Sequence, residues 1–220
     1  MRHVRQRLRN LVGGGPNEAL RRARGVIHVG ANTGQERDLY ASFGLRVVWI
    51  EPIPEVFDEL QRNVADFPYQ RAVRALVTDT SGETVAFHVS SNDGLSSSIF
   101  DFDQHADIWP DVTTARSIEL VTTTLSDLVE REGIEPHDYD ALVMDTQGSE
   151  LLVLQGAEAM LKQLSVIKTE AADFEAYTGC CLREDIESFL FARGFRETQC
   201  TEFARHAEGG RYYDVVFERS

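Results

Sequence analysis

A glutamate at position 51, about 20 residues beyond a glycine turn, is the first group in this chain whose type and spacing define a chemistry. The run Val26-Ile27-His28-Val29-Gly30-Ala31-Asn32-Thr33-Gly34 reads as a strand entering a turn, and Arg46-Val47-Val48-Trp49-Ile50-Glu51 as a second strand ending on the carboxylate. A carboxylate at such a tip accepts hydrogen bonds from both ribose hydroxyls of a bound nucleoside. Glycines let the turn backbone approach a ligand closely, and a following helix offers its unpaired N–H groups. A pyrophosphate requires G-x-G-x-x-G, yet Asn32 takes the place of the second glycine and Gln35 that of the third. The bulkier turn points to S-adenosylmethionine rather than a nicotinamide dinucleotide, with Gly30, Ala31, Asn32, Gly34 and Glu51 as its expected holders.

Further acids stand where strands end or helices begin. Asp145 closes the apolar run Tyr139-Asp140-Ala141-Leu142-Val143-Met144, and Glu170 closes Ser165-Val166-Ile167-Lys168-Thr169. Ligands of open α/β sheets lie outside the carboxyl ends of the strands, so Asp145 is expected at the reacting centre, contacting the cofactor's amino end or acting as base. Glu150 and Glu170 are the other carboxylate candidates for proton transfer, although a Glu in the first turn of a helix also answers the helix dipole. His88 and His105 are bases by type near neutral pH, and His105 is the catalytic candidate of the two; isolated histidines more often pack or face solvent. Trp109, close by, offers a flat face to a ring-shaped acceptor or packs inside the fold. Asn92-Asp93-Gly94-Leu95-Ser96-Ser97-Ser98 is a polar turn able to cover the cofactor. Asp145, Glu170 and Asp173 form no compact ligand motif, and no metal site is expected.

The elements that must position these groups alternate from residue 25 onward between apolar runs and amphipathic stretches, the pattern of a parallel sheet covered by helices. Pro54 opens a helix with Val56, Phe57, Leu60, Val64 and Phe67 on one stripe, and a strand follows near Ala72 to Val77. Residues 83 to 124 break the alternation with period-two segments, Thr84 to Val89 and Ile118 to Val121, an insertion suited to recognising an acceptor. A short helix from Leu125 to Val129 precedes the strand that ends in Asp145. The next helix carries Leu151, Leu154, Ala157, Leu161 and Leu164, and the last carries Ile186, Phe189 and Leu190 with Gly194 as cap. Two strand-like runs, Phe195 to Phe203 and Tyr212 to Phe217, are joined too closely for a crossover and must pair antiparallel. Five parallel strands plus this hairpin make the expected sheet.

At 220 residues, with 42% apolar and 26% charged residues, the chain suits one soluble α/β domain over 25–220, preceded by a basic arm over 1–24. The net charge is −14, although the arm holds seven arginines against one glutamate. Such a body repels nucleic acid, and the arm is expected as a solvated helix ending at Gly13-Gly14-Gly15-Pro16. Its alternative partners are an acidic surface of its own fold, an anionic lipid face or a second subunit, so a homo-oligomer stays open. No apolar run is long enough for a membrane span and no h-region follows the arginines, so a cytoplasmic location is expected. Cys180, Cys181 and Cys200 form neither a disulfide framework nor a metal motif.

Four segments together carry a resemblance: Val29-Gly30-Ala31-Asn32-Thr33-Gly34, Glu51-Pro52, Val121-Thr122-Thr123-Thr124-Leu125-Ser126-Asp127-Leu128 and Met144-Asp145-Thr146-Gln147-Gly148-Ser149-Glu150-Leu151. The chain resembles a class I S-adenosylmethionine-dependent methyltransferase, and more narrowly the FkbM family of O-methyltransferases, from about Val26 to Phe217. The resemblance implies a Rossmann-like fold: a mostly parallel seven-stranded sheet, a C-terminal antiparallel hairpin and a β-containing insertion before the fourth strand. It also implies methyl transfer to a hydroxyl oxygen of a small molecule such as a sugar, glycolipid or polyketide-type product. Ala75 and Leu76 are expected beside the adenine. Two positions depart from the family pattern: His28 stands where an acid is usual, and Gln147 replaces an acid and cannot act as a base. The competing readings are an NAD-dependent oxidoreductase on the same sheet and a binding module that holds the cofactor without turnover.

Overall fold

The architecture follows from strands that are apolar on both faces and therefore need helices on each side. The computed structural model describes residues 17–206 and 209–220. Strands β1 (Gly25–Val29), β2 (Arg46–Ile50), β3 (Gln70–Val73), β4 (Leu76–Val77), β5 (Thr84–Ser90), β6 (Thr114–Thr123), β7 (Ala141–Met144), β8 (Val166–Ala172), β9 (Phe195–Arg205) and β10 (Arg211–Arg219) form two sheets. The larger has the order β3-β2-β1-β7-β8-β10-β9. Its first five strands run parallel, and β10 lies antiparallel between β8 and β9. The chain thus leaves β1 toward one edge and returns to its other side with β7, which makes the tips of β1 and β7 the switch point where ligands of such sheets sit.

Helices α1 (Arg37–Ser42), α2 (Pro54–Val64), α3 (His105–Ile108), α4 (Leu125–Arg131), α5 (Glu150–Gly156), α6 (Glu158–Leu161) and α7 (Arg183–Phe191) complete the fold. Alternation along the strands sorts the core into two layers. Ile27 and Val29 of β1, with Leu142 and Met144 of β7, meet Leu128 of α4, Leu154 of α5 and Leu190 of α7 on one face. Val26, Ala141 and Val143 meet Tyr40 of α1 and Leu60 and Val64 of α2 on the other. A third, aromatic cluster joins the insertion to the β8/β10 end of the sheet through Phe102, Trp109, Tyr177 and Tyr212.

Several expected boundaries shift. The strand expected over Ala72 to Val77 is two strands: β3 stays with β2, whereas Leu76 and Val77 leave the sheet to pair with Thr122 and Thr123 of β6. With β5 they make the three-stranded sheet of the insertion. The helix carrying Leu151 to Leu164 is likewise interrupted at Ala157, just after the point where the Thr78 carbonyl oxygen approaches Gly156 so closely that a Cβ there would lie 2.1 Å away.

The helix expected over the arginine-rich start lies outside the described residues. Those of the arm that are described pack on the domain: Leu20 is fully buried, Arg22 meets Glu218 at 2.6 Å and Arg24 meets Asp140 at 3.2 Å. These ion pairs are exposed, so each adds little stability and the apolar burial dominates. Among the described residues no helix is long and apolar enough to cross a membrane.

Candidate active site

Glu51 is the floor of an open cleft of about 560 Å³ at the switch point. Its side chain is buried, with Oε2 accepting the Asn32 N–H and Oε1 accepting the Ile53 N–H, each at 2.9 Å. Burial pushes its pKa up to about 7; the two backbone donors oppose the rise and the charge of Asp145 adds to it. Two of the carboxylate's acceptor sites are filled, which leaves capacity for hydroxyl groups from the cleft. Gly30 lets the two strand tips meet: with φ +77°, a Cβ here would sit 2.0 Å from the Asp145 carbonyl oxygen.

The walls are apolar. Ala75, Leu76 and Val77 line one side with Phe87 from β5, so the break between β3 and β4 lays a short apolar segment along the cleft. Gly94, Leu95 and Ser97 of the serine-rich turn line it as well. That turn is internally bonded, with the Ser90 N–H donating to Ser97 Oγ at 3.0 Å and Asn92 Nδ2 to Ser96 Oγ at 3.0 Å. It is tied to the opposite wall through Ser98 Oγ, which donates to the Gln147 carbonyl at 2.7 Å.

Asp145 lines the cleft beside Gln147. Gln147 Nε2 donates to Asp145 Oδ1 at 2.5 Å and stands 3.4 Å from Glu170 Oε2, while its Oε1 accepts the Tyr177 hydroxyl at 2.7 Å. The amide therefore sits between two carboxylates and lines both the first cleft and a second, to which Glu150, Glu170 and Tyr212 contribute. Burial raises the Tyr177 pKa well above its ordinary value, so the phenol stays a donor. Asn32, Asp93 and Gln147 are the only non-glycine residues with positive φ among the described residues, and all three border the first cleft or the turn over it. Backbone strain of this kind persists where the surroundings over-determine it, as at functional sites.

Glu150 serves the loop above it. Its Oε1 accepts the Thr146 N–H at 2.9 Å and the Thr146 hydroxyl at 3.1 Å, and its Oε2 accepts the Gly148 N–H at 3.0 Å. Burial is the largest influence on its pKa and raises it. A carboxylate holding three donors clamps the loop that carries Gln147, and it also lines the second cleft.

Other expected site residues are elsewhere. Ala31 is buried in the core layer under α1 and α2, and Gly34 faces Leu60, whose Cδ1 would be 2.8 Å from a Cβ. The helix expected directly after Gly34 begins only at Arg37 and has six residues. The turn's N–H groups are used within the protein: those of Gly30 and Ala31 go to the Ile50 carbonyl, that of Thr33 to Asn32 Oδ1 and that of Gly34 to the Ala31 carbonyl. His105 lines neither cleft; it is buried against Phe102, Trp109 and Tyr177, with ring centroids 4.9, 4.7 and 5.2 Å away. His88 lies on the insertion, with Nδ1 2.9 Å from Ser117 Oγ. His28 points into the core, stacked on Trp49 at 5.0 Å, with Nδ1 3.2 Å from the Tyr40 hydroxyl. Asp173 accepts the Arg211 N–H and the Tyr213 hydroxyl. Among the described residues no group of three or more His, Cys, Asp or Glu side chains converges as a metal site.

Sequence reasoning had no sign of the placements of Thr146, Phe87, Tyr177 and Tyr212. Gln147 is visible in the sequence as a departure from the family pattern but not as the bridge it forms.

The sheet order, the turn at Gly30 and the acid at the tip of β2 define a Rossmann-like fold of the class I methyltransferase kind. The profile of the methyltransferase FkbM domain matches residues 28–197, and the chain belongs to that family, whose cofactor is S-adenosylmethionine. No curated protein matches the chain. Among solved structures it is similar to an uncharacterised protein from Listeria monocytogenes serotype 4b, at 11% identity and a TM-score of 0.50, over 89% of this chain and 61% of that one. The METTL16 methyltransferase domain gives 13% identity and a TM-score of 0.50, over 89% of this chain and 59% of that domain. The chain thus spans about three fifths of those proteins, and at such identities the likeness concerns the fold.

Proposed function

We propose that this chain transfers the methyl group of S-adenosylmethionine to a hydroxyl oxygen of a small molecule. The observation that carries the reading is the buried Glu51 carboxylate in a cleft at the switch point, with two acceptor positions filled by backbone N–H groups and capacity left for the hydroxyls of a ribose. Glu51 would hold the ribose, Ala75, Leu76 and Phe87 the adenine, and Asp145 the amino end. Bound there, the cofactor supplies an electrophilic methyl group on a sulfonium that departs as a neutral thioether.

The protein's task is alignment, which supplies about 7 to 11 kcal/mol of such a barrier when reacting atoms are held about 3 to 3.5 Å apart. Gln147 fixes Asp145 through its amide and keeps Glu170 on the acceptor side. Glu170 takes the hydroxyl proton on a carboxylate oxygen, a step that contributes about 10²- to 10⁴-fold. Glu150 positions the loop that carries Gln147. A dinucleotide fits poorly, because the N–H groups of Gly30 through Gly34 that a pyrophosphate requires are all donated internally.

Calorimetry with S-adenosylmethionine and S-adenosylhomocysteine tests the cofactor half, and labelled methyl donor with a panel of glycosides and polyketides tests transfer. Micromolar binding and a methyl mass gain on a hydroxyl are the expected results. An inert cleft, or methylation at nitrogen or carbon, rejects the reading.

A further inference from the structure

We infer that the second cleft, on the far side of Gln147, seats the acceptor, and that the part it takes is a single ring bearing hydroxyl or amino groups and no acidic group. The inference rests on the methyl-transfer reading above and deepens it. The cleft is open to solvent, and Ala171, Ala172 and Ala176 line it with small side chains.

Tyr212 is the observation that points to a ligand. Its ring is 6% exposed, it lines this cleft, and its hydroxyl is shut off from water with no hydrogen-bond partner among the described residues. Its neighbour Tyr213, by contrast, donates to Asp173 Oδ2 at 2.9 Å. Buried hydroxyls are paired almost without exception, and one left unpaired costs stability that a bound ligand returns. Burial is the chief cause that raises the Tyr212 pKa, with Glu170, Cys180 and Glu150 adding to it, so the phenol is a fixed donor. An acceptor molecule therefore finds a donor in Tyr212 and an acceptor in Glu170, the complementary pair a hydroxyl can answer.

Charge sets what the ring can carry. Glu150 and Glu170 line this cleft, Asp145 lies just beyond Gln147, and among the described residues no lysine, arginine or histidine lines either cleft. Arg183 and Arg211, on α7 and β10, are paired with Glu197 and Glu202. Among the described residues a carboxylate or phosphate on the acceptor would meet only like charge there, whereas a neutral or protonated amino group meets none.

The test is ligand-observed NMR titration of the wild-type chain, saturated with S-adenosylhomocysteine, using methyl glucoside, methyl glucosaminide and methyl glucuronide as single-ring probes that differ in charge. The first two are expected to bind and the glucuronide to bind at least tenfold more weakly. Tyr212→Phe is expected to weaken glucoside binding about tenfold while S-adenosylhomocysteine affinity and Tm stay unchanged, because the lost hydroxyl had no partner within the fold. The inference is overturned if the glucuronide binds as well as the glucoside, if Tyr212→Phe leaves glucoside binding intact, or if neither neutral nor amino probe binds. A wild-type chain that fails to bind S-adenosylhomocysteine overturns the underlying methyl-transfer reading as well.

Discussion

The two clefts on either side of Gln147 are built by different means. The first is shaped by backbone: a glycine turn, a break between two short strands and a carboxylate clamped by two N–H groups. The second is shaped by side chains from distant parts of the chain, with Glu170 from β8, Tyr177 from a loop and Tyr212 from β10. Backbone-built sites tolerate few changes but fix a constant ligand, whereas side-chain-built sites can be retuned one residue at a time. That division suits a common cofactor on one side and a particular acceptor on the other.

The contrast can be broken most severely at Gly30. Gly30→Val places a branched side chain against the Asp145 carbonyl at a positive φ, and a loss of about 3 to 5 kcal/mol of stability is expected, read from denaturant unfolding. A variant as stable as wild type would show that the strand tips do not meet as described. Glu51→Ala comes next: S-adenosylmethionine affinity should fall about 100-fold, as expected for losing charged hydrogen bonds to two hydroxyls, and calorimetry measures it.

Gln147→Leu keeps the side chain's size while removing the bridge between Asp145 and Glu170. Turnover should drop about 30-fold with cofactor affinity held within threefold, since the misplacement concerns alignment rather than binding. Equal losses in both would mean the two clefts are not separable.

A smaller effect is expected from pH. Glu51 has a folded-state pKa of about 7, above the unfolded carboxylate value, so the native state binds the extra proton between about pH 4.5 and 7. Its contribution therefore declines as pH rises through that window, by up to about 3 kcal/mol, whereas cofactor affinity should climb roughly tenfold from pH 6 to 8 as the carboxylate ionises. Glu51→Gln should flatten the affinity profile; a profile that keeps its slope would locate the titration in another group. The mildest change is Gly34→Ala, which should cost about 1 kcal/mol through its positive φ and the contact with Leu60, leaving cofactor affinity untouched.

These residues also show how far the chain could be read before its structure. The alternation of apolar runs gave the seven strands and the closing hairpin because burial on both faces of a sheet leaves a local trace. Glu51 was legible because a short turn fixes its distance from Gly30. At Gly34 local sequence shows that a Cβ is absent but not which neighbour fills the space, and here it is Leu60. The left-handed backbone at Gln147 leaves no mark in the residue type, since glutamine rarely adopts it. His105 has the residue type of a base, but local sequence does not show that the fold sets its ring against Tyr177, far along the chain. Tyr212 was just one apolar position in a strand pattern until β10 set it opposite Ala172.

The position of β1 has a consequence for biosynthesis. Val26 lies beside Val47 on one side and Ala141 on the other, so the strand emerges from the ribosome long before its second neighbour exists. Pairings this distant in sequence slow folding, and until β7 arrives one side of a very apolar strand stands open. A nascent chain should therefore engage holding chaperones through the synthesis of the insertion and dock its centre only when Met144 has left the exit tunnel.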